Sequence, residues 1–275
     1  MVMVWLYFIL LTYFIFFLHR ASFFLFPVFH MVELPPADAY EEIYLENEMG
    51  CWMYPPRSMT SNEHVMIYFN GNAGNVSTRL SNIRVLQHLF PEYRIYNLEY
   101  PGFGISASLP GGLTAIAEEC EAACRHILEK HPLLETMGFW GESLGALVAA
   151  HVFSRLSNRV RWVVHMNGVA SLHDALAAYV PPLLQAFVLP VLPTLPGPVV
   201  EAYEAVDIQE GHHIVLMHAK NDEVVSDTHT KQLYVALKAR YPNNVHYLEL
   251  RGKHNGVLLH KENQDAMTEC VGSIL

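Results

Sequence analysis

Residues Thr136 to Ala150, TMGFWGESLGALVAA, contain an apolar β-type run, a serine bracketed by glycines, and the start of an apolar helical pattern. Thr136–Trp140 reads as a short buried strand, and the residues after Ser143 as a helix through Leu156. Between them, Gly141-Glu142-Ser143-Leu144-Gly145 is a Gly-x-Ser-x-Gly motif in a strand–turn–helix setting. Small residues at 141 and 145 let the chain turn sharply, so the Ser143 hydroxyl projects from the sheet edge. The helix N-terminus behind it aims amide donors at developing negative charge. Ser143 is therefore a candidate nucleophile; the competing reading is a glycine-rich turn that serves packing alone.

A serine hydroxyl is a poor nucleophile without a base, and the base needs an orienting acid. A strand over His213–Met217 runs into His218-Ala219-Lys220-Asn221-Asp222, and a strand over Val245–Leu250 runs into Arg251-Gly252-Lys253-His254. Each delivers its last residue to a loop beyond a sheet strand. Ser143, Asp222 and His254 then follow one another as nucleophile, acid and base. The chain has 16 histidines, so it is position behind a glycine after the last strand that singles out His254. Glu223 competes with Asp222 for the acid role, and His218 reads as a structural residue orienting the loop. For the oxyanion, the amides of Leu144 and Asn72 are the candidate donors, Asn72 lying in the glycine-containing loop Asn70–Asn75. That loop has neither the GxGxxG spacing nor a Walker lysine, which argues against nucleotide binding. Its plainer reading is a βα loop with Asn75 capping the next helix. Asn75-Val76-Ser77 is also a glycosylation sequon, but one placed where the site loop should be, so modification is not expected there.

Outward from this centre the chain alternates strand and helix. Alternation in 39–46 and 50–55 predicts two short antiparallel strands, and His64–Phe69 and Tyr93–Leu98 two more strands. Leu80, Ile83, Leu86 and Leu89 mark one helix face; Ile116, Cys120, Cys124 and Ile127 mark another within 113–130. Arg161–Met166 adds a strand and 262–274 a closing helix. The pattern predicts an α/β fold over 35–275: a mostly parallel central sheet with helices on both faces. Residues 171–205 break the rhythm, with prolines at 181, 182, 190, 193, 196 and 198 and an uncharged stretch over 175–200. A short apolar cap over the site is the preferred reading, and a structural crossover the other.

Residues 1–18 carry no charge, and the apolar character resumes after Arg20 to Phe29. Eighteen helical residues span about 27 Å, close to a bilayer's hydrocarbon thickness. We therefore expect residues 1–29 to be an N-terminal membrane anchor; a cleaved signal or a buried or interfacial arm are the rivals. Arg20, on the C-terminal flank, favours a cytosolic catalytic domain. The net charge of -10 offers no basic footprint for nucleic acid. The four cysteines, at 51, 120, 124 and 270, are too scattered for a disulfide scaffold or a zinc site and read as small packed side chains.

The motifs together resemble the α/β-hydrolase superfamily and, within it, the Bem46-like serine hydrolases. That branch carries a His-Gly-Asn-Ala-Gly-Asn loop, here Asn70-Gly71-Asn72-Ala73-Gly74-Asn75. Its Arg-Gly-Tyr-Gly turn is matched by Tyr100-Pro101-Gly102-Phe103-Gly104, and its Ser-Leu-x-Asp segment by Ser171-Leu172-His173-Asp174. Gly141-Glu142-Ser143-Leu144-Gly145 and Gly252-Lys253-His254-Asn255 complete the set, over roughly residues 38 to 273. The chain departs from the pattern at Asn70 for histidine, Pro101 for arginine and Ala219 for glycine. The resemblance implies hydrolysis of an ester, thioester or amide with no metal or organic cofactor, and a hydrophobic N-terminal anchor is common in this branch. The expected activity is a Ser-His-Asp acyl-enzyme mechanism on an ester or thioester, with an acyl or lipid-like substrate favoured by the apolar segments. A serine peptidase and a non-catalytic membrane-anchored scaffold are the alternatives.

Overall fold

Apolar side chains alternate between the two faces of the central sheet, and this alternation builds two separate cores. A computed structural model describes residues 39–58, 63–72, 74–106, 113–179, 197–272 and 274. Its strands are β1 (Glu41–Tyr44), β2 (Gly50–Tyr54), β3 (Glu63–Phe69), β4 (Tyr93–Leu98), β5 (Leu134–Glu142), β6 (Trp162–Met166), β7 (His213–Ala219) and β8 (Val245–Leu250). Among the described residues they form one sheet in the order β1-β2-β4-β3-β5-β6-β7-β8. β1–β2 and β2–β4 pair antiparallel, and every other neighbouring pair is parallel.

The helices are α1 (Leu80–Leu89), α2 (Leu113–Lys130), α3 (Leu144–Leu156), α4 (Leu172–Tyr179), α5 (Val199–Glu204), α6 (Asp227–Arg240) and α7 (Lys261–Gly272). Val65, Ile67 and Phe69 of β3 join the core under α2, α3, α5 and α6, whereas Met66 and Tyr68 join the one under α1 and α7. β7 divides in the same way: Ile214 and Leu216 go to the first core, Val215 and Met217 to the second. Period-two alternation between two apolar layers is what a parallel sheet covered on both faces requires. Cys51, Cys120 and Cys124 are buried in the first core, where burial pushes their thiols up. They act there as small apolar side chains.

The helix expected to start at Asn75 is in fact a 3-10 turn, Val76–Arg79, followed by α1. Asn75 caps the turn: its Oδ1 accepts the Ser77 N–H (3.0 Å), while Thr78 Oγ1 accepts the Asn75 N–H (3.1 Å). With Asn75 1% exposed, the sequon is closed to a glycan. β5 runs two residues beyond Trp140 because Gly141 and Glu142 pair with His165 and Met166 of β6. Glycine and glutamate are weak strand formers, so propensity alone stops the strand too early.

In the apolar segment 171–205 the two described ends are packed. Ser171 caps α4, its Oγ accepting the Asp174 N–H (3.2 Å), and the Val199 N–H bonds the Ala170 carbonyl (2.7 Å). Tyr203 of α5 packs against Phe153 of α3, ring centroids 5.8 Å apart. Residues 180–196, the middle of the cap expected over 171–205, lie outside the described residues, as does the anchor expected over 1–29. Among the described residues no helix is long and apolar enough to cross a membrane.

Candidate active site

β5 ends directly behind Ser143, whose backbone stands at φ 55, ψ −117, a region that costs a side-chain-bearing residue about 1–3 kcal/mol. The surroundings hold it there. Its N–H bonds the Met166 carbonyl at the end of β6 (2.9 Å). A Cβ on Gly145 would lie 2.1 Å from the Phe69 carbonyl oxygen, and one on Gly141 2.4 Å from the Ala146 Cα. These are backbone obstacles: α3 lies too close to the end of β3 for a side chain at 145, and its own first turn lies too close to the end of β5 for one at 141.

The three residues singled out in the sequence meet at this edge. His254 Nε2 lies 3.0 Å from Ser143 Oγ, and His254 Nδ1 lies 2.7 Å from Asp222 Oδ2. Asp222 sits in the turn after β7 with its side chain fully buried. Its Oδ1 accepts the N–H groups of Val224 and Val225, both at 2.8 Å. Burial alone would raise this carboxyl, but hydrogen bonds from His218, His254 and the two amides outweigh it and hold the group well below the usual carboxylate range. Glu223, the rival acid, points outward and pairs with Lys253 Nζ at 2.8 Å.

His218 does more than orient a loop. Its Nε2 lies 3.0 Å from the Val225 carbonyl and 3.3 Å from Asp222 Oδ2, the same oxygen that faces His254. Its Nδ1 is 2.6 Å from Thr230 Oγ1. A carbonyl can only accept, so Nε2 carries the proton and Nδ1 takes the threonine hydroxyl.

Sequence reasoning missed two buried asparagines. Asn167 follows β6 at φ 49 and ties the two loops together: its Nδ2 donates to the His254 carbonyl and its Oδ1 accepts the Ala219 N–H, each at 2.8 Å. The available signal was Asn-Gly at a strand end, since asparagine tolerates positive φ better than other residues with a side chain. Asn263 on α7 clasps the His254 loop through the N–H and C=O of Arg251 and the carbonyl of Val257, all at 2.8 Å. Nothing local in the sequence marks it.

Of the two donors expected for the oxyanion, Leu144 is the first residue of α3, and Asn72 is half-buried in the loop after β3. Asn70, where the resemblance expects histidine, anchors that loop to β4. Its Nδ2 donates to Asn97 Oδ1 (2.9 Å) and the Leu98 carbonyl (2.7 Å), and its own carbonyl accepts the Tyr100 hydroxyl (2.7 Å). Away from these residues, Glu46, His126 and Glu129 place three ligand-type atoms within 4.8 Å of one another; both carboxylates are exposed, and we assign no ion to them.

Glu99, at the end of β4, links the same loop to the next turn. Its carboxylate accepts the N–H groups of Val76 (3.1 Å) and Ile105, and burial pushes it up to about 8 despite those bonds. An unfolded glutamate titrates near about 4.3, so between these values the folded chain holds a proton that the unfolded chain has lost. Stability therefore falls as pH rises through that window. We expect Glu99→Gln, which keeps the shape without the charge, to gain melting temperature relative to wild type between about pH 5 and about pH 9. A difference that stays flat with pH would refute this.

Comparison with known proteins agrees with the architecture. Residues 64–203, just over half of the chain, match the family model described as alpha/beta hydrolase fold. The chain belongs to that family. Within it the chain is similar to protein bem46 of Schizosaccharomyces pombe, 25% identical over 118 residues that cover 42% of this chain and 38% of that protein. It is 22% identical over 205 residues to an uncharacterised protein of Acanthamoeba polyphaga mimivirus, covering 71% and 68% of the two chains. Among solved structures, an esterase of Pyrococcus furiosus shares the fold with a TM-score of 0.66 at 18% identity, over 91% of this chain and 95% of that one.

Proposed function

We propose that this α/β hydrolase is a serine hydrolase that cleaves an ester or thioester, with an acyl or lipid-like acid, through an acyl-enzyme. The observation that carries the reading is the unbroken relay from Ser143 through His254 to Asp222, at 3.0 and 2.7 Å, on a strained elbow. His254 Nε2 accepts the Ser143 proton as Oγ attacks the carbonyl carbon. Asp222, kept ionised, receives the Nδ1–H and stabilises the imidazolium that forms. The amides of Leu144 and Asn72 hold the oxyanion. His254 then protonates the leaving alcohol or thiol, and a water deprotonated by the same ring releases the acid. No step calls for a metal or organic cofactor.

The apolar runs 1–29 and 175–200 support a fatty or lipid-like acyl group and attachment of the enzyme to a membrane. The test is turnover of a graded series of acyl esters and thioesters beside a peptide amide, using the full chain. We expect cleavage of the esters, improving with acyl length. Peptide cleavage with every ester refused would replace this reading by a peptidase, and recovery of the chain wholly in the soluble fraction of cells would remove the membrane part.

A further inference from the structure

Glu142, between Gly141 and the nucleophile, turns its side chain to the α1 side of the sheet, where it meets Tyr68, Arg79 and Asn82. It is 4% exposed there, and a carboxylate in such a place is costly unless several donors meet it. Its Oε2 receives them from three elements. The Tyr68 hydroxyl near the end of β3 and Asn82 Nδ2 on α1 (3.2 Å) donate hydrogen bonds, and the Arg79 guanidinium faces the same oxygen as an ion pair, its Nε 3.4 Å away. Asn82 Nδ2 also reaches the Tyr68 hydroxyl at 3.2 Å.

Arg79 closes the 3-10 turn that follows the Asn70–Asn75 loop. Its guanidinium folds back over that loop. A Cβ built on Gly71 would stand 3.3 Å from Arg79 Nη2, 3.4 Å from Ser143 Cβ and 3.5 Å from the Glu142 carbonyl oxygen. The backbone at Gly71 is thus held between the guanidinium and the nucleophile. One ion pair thereby spans the two segments assigned the oxyanion donors: Glu142 is two residues before Leu144, and Arg79 adjoins the loop of Asn72. Neither a strand end nor a helix start needs a buried carboxylate in order to form, whereas a fixed spacing between two separate loops needs a directional tie.

We propose that Arg79 and Glu142 are positioning residues that set the Asn70–Asn75 loop against Ser143, so that its amide meets the oxyanion in the transition state. The inference rests on the serine-hydrolase reading above. Displacing one oxyanion donor by about 1 Å can cost up to about 100-fold in rate. The loss falls on the transition state, so it appears in kcat and leaves KM in place.

The experiment is steady-state kinetics of Arg79→Gln on an activated acyl ester, beside a melting curve. We expect kcat to fall by about 10- to 100-fold with KM changed by less than about threefold, and Arg79→Lys to recover part of the loss. Adding Glu142→Gln to Arg79→Gln should cost little more than the worse single change, because the two act as one unit. With an active wild type, an unchanged kcat in folded Arg79→Gln, or a raised KM at unchanged kcat, overturns the inference and leaves the hydrolase reading standing. A wild type that turns over no ester and takes no fluorophosphonate overturns both. Should Arg79→Gln fail to fold, Arg79→Lys decides in its place: a several-fold lower kcat at constant KM supports the tie, and wild-type kinetics reject it.

Discussion

Ser143→Ala is expected to abolish covalent labelling by a fluorophosphonate and to lower ester turnover by about 10⁶-fold, with little change in melting temperature. The asymmetry between activity and stability follows from the geometry. Alanine removes only Oγ, so the variant gives up its one side-chain hydrogen bond, to His254 Nε2 at 3.0 Å, and keeps every backbone bond of the elbow. The strained backbone at φ 55 is unchanged, because it is imposed by the close approach of α3 to β3 and by the Ser143 N–H bond to Met166. The proposed oxyanion donors and His254 remain, so a residual rate above that in water should persist through a water attacking in place of the serine. Equal labelling of variant and wild type would move the nucleophile elsewhere in the chain. A wild type that takes no label at all would favour a scaffold that has kept the hydrolase fold.

Where sequence and structure agree, the information is local. Strand alternation over β3, β4, β7 and β8 and the apolar faces of α1 and α2 are written in consecutive residues. The glycines at 141 and 145 mark a turn that only residues without Cβ can make. Asp222 and His254 were legible because each ends a strand and the chain order is restrictive. The second layer was not legible in the same way. Asn167 lies 87 residues from its His254 partner and 52 from Ala219, and Glu142 lies 74 from Tyr68. These bonds link loops that only the parallel sheet brings side by side, so no spacing in the sequence encodes them. The extension of β5 through Gly141 and Glu142 has the same origin, being set by its neighbour β6 rather than by its own propensity.

The environment of Asp222 makes the outcome of Asp222→Asn unusually well determined. Its Oδ1 faces two amide donors, those of Val224 and Val225, so an asparagine is driven to place its carbonyl oxygen there. Its amide nitrogen then occupies the Oδ2 position, 2.7 Å from His254 Nδ1 and 3.3 Å from His218 Nε2. His218 already presents an N–H on that side, held by the Val225 carbonyl, so it cannot accept. His254 must accept on Nδ1 instead and carry its proton on Nε2, facing Ser143, where it can take no second proton at neutral pH. Turning the amide over relieves both histidines but sets its NH₂ against two backbone N–H groups. We expect kcat to fall by about 10⁴-fold at pH 7 with the fold retained. The pH dependence of stability has a definite sign. Asp222 titrates below its unfolded value of about 3.9, so the stability it lends wild type is present above that pH and is lost as pH falls toward the folded value. The melting-temperature gap between wild type and Asp222→Asn should therefore be widest at neutral pH and close below about pH 4. Turnover within about tenfold of wild type at pH 7 would show that His254 keeps the working tautomer without this carboxylate, and the acid role would pass from Asp222.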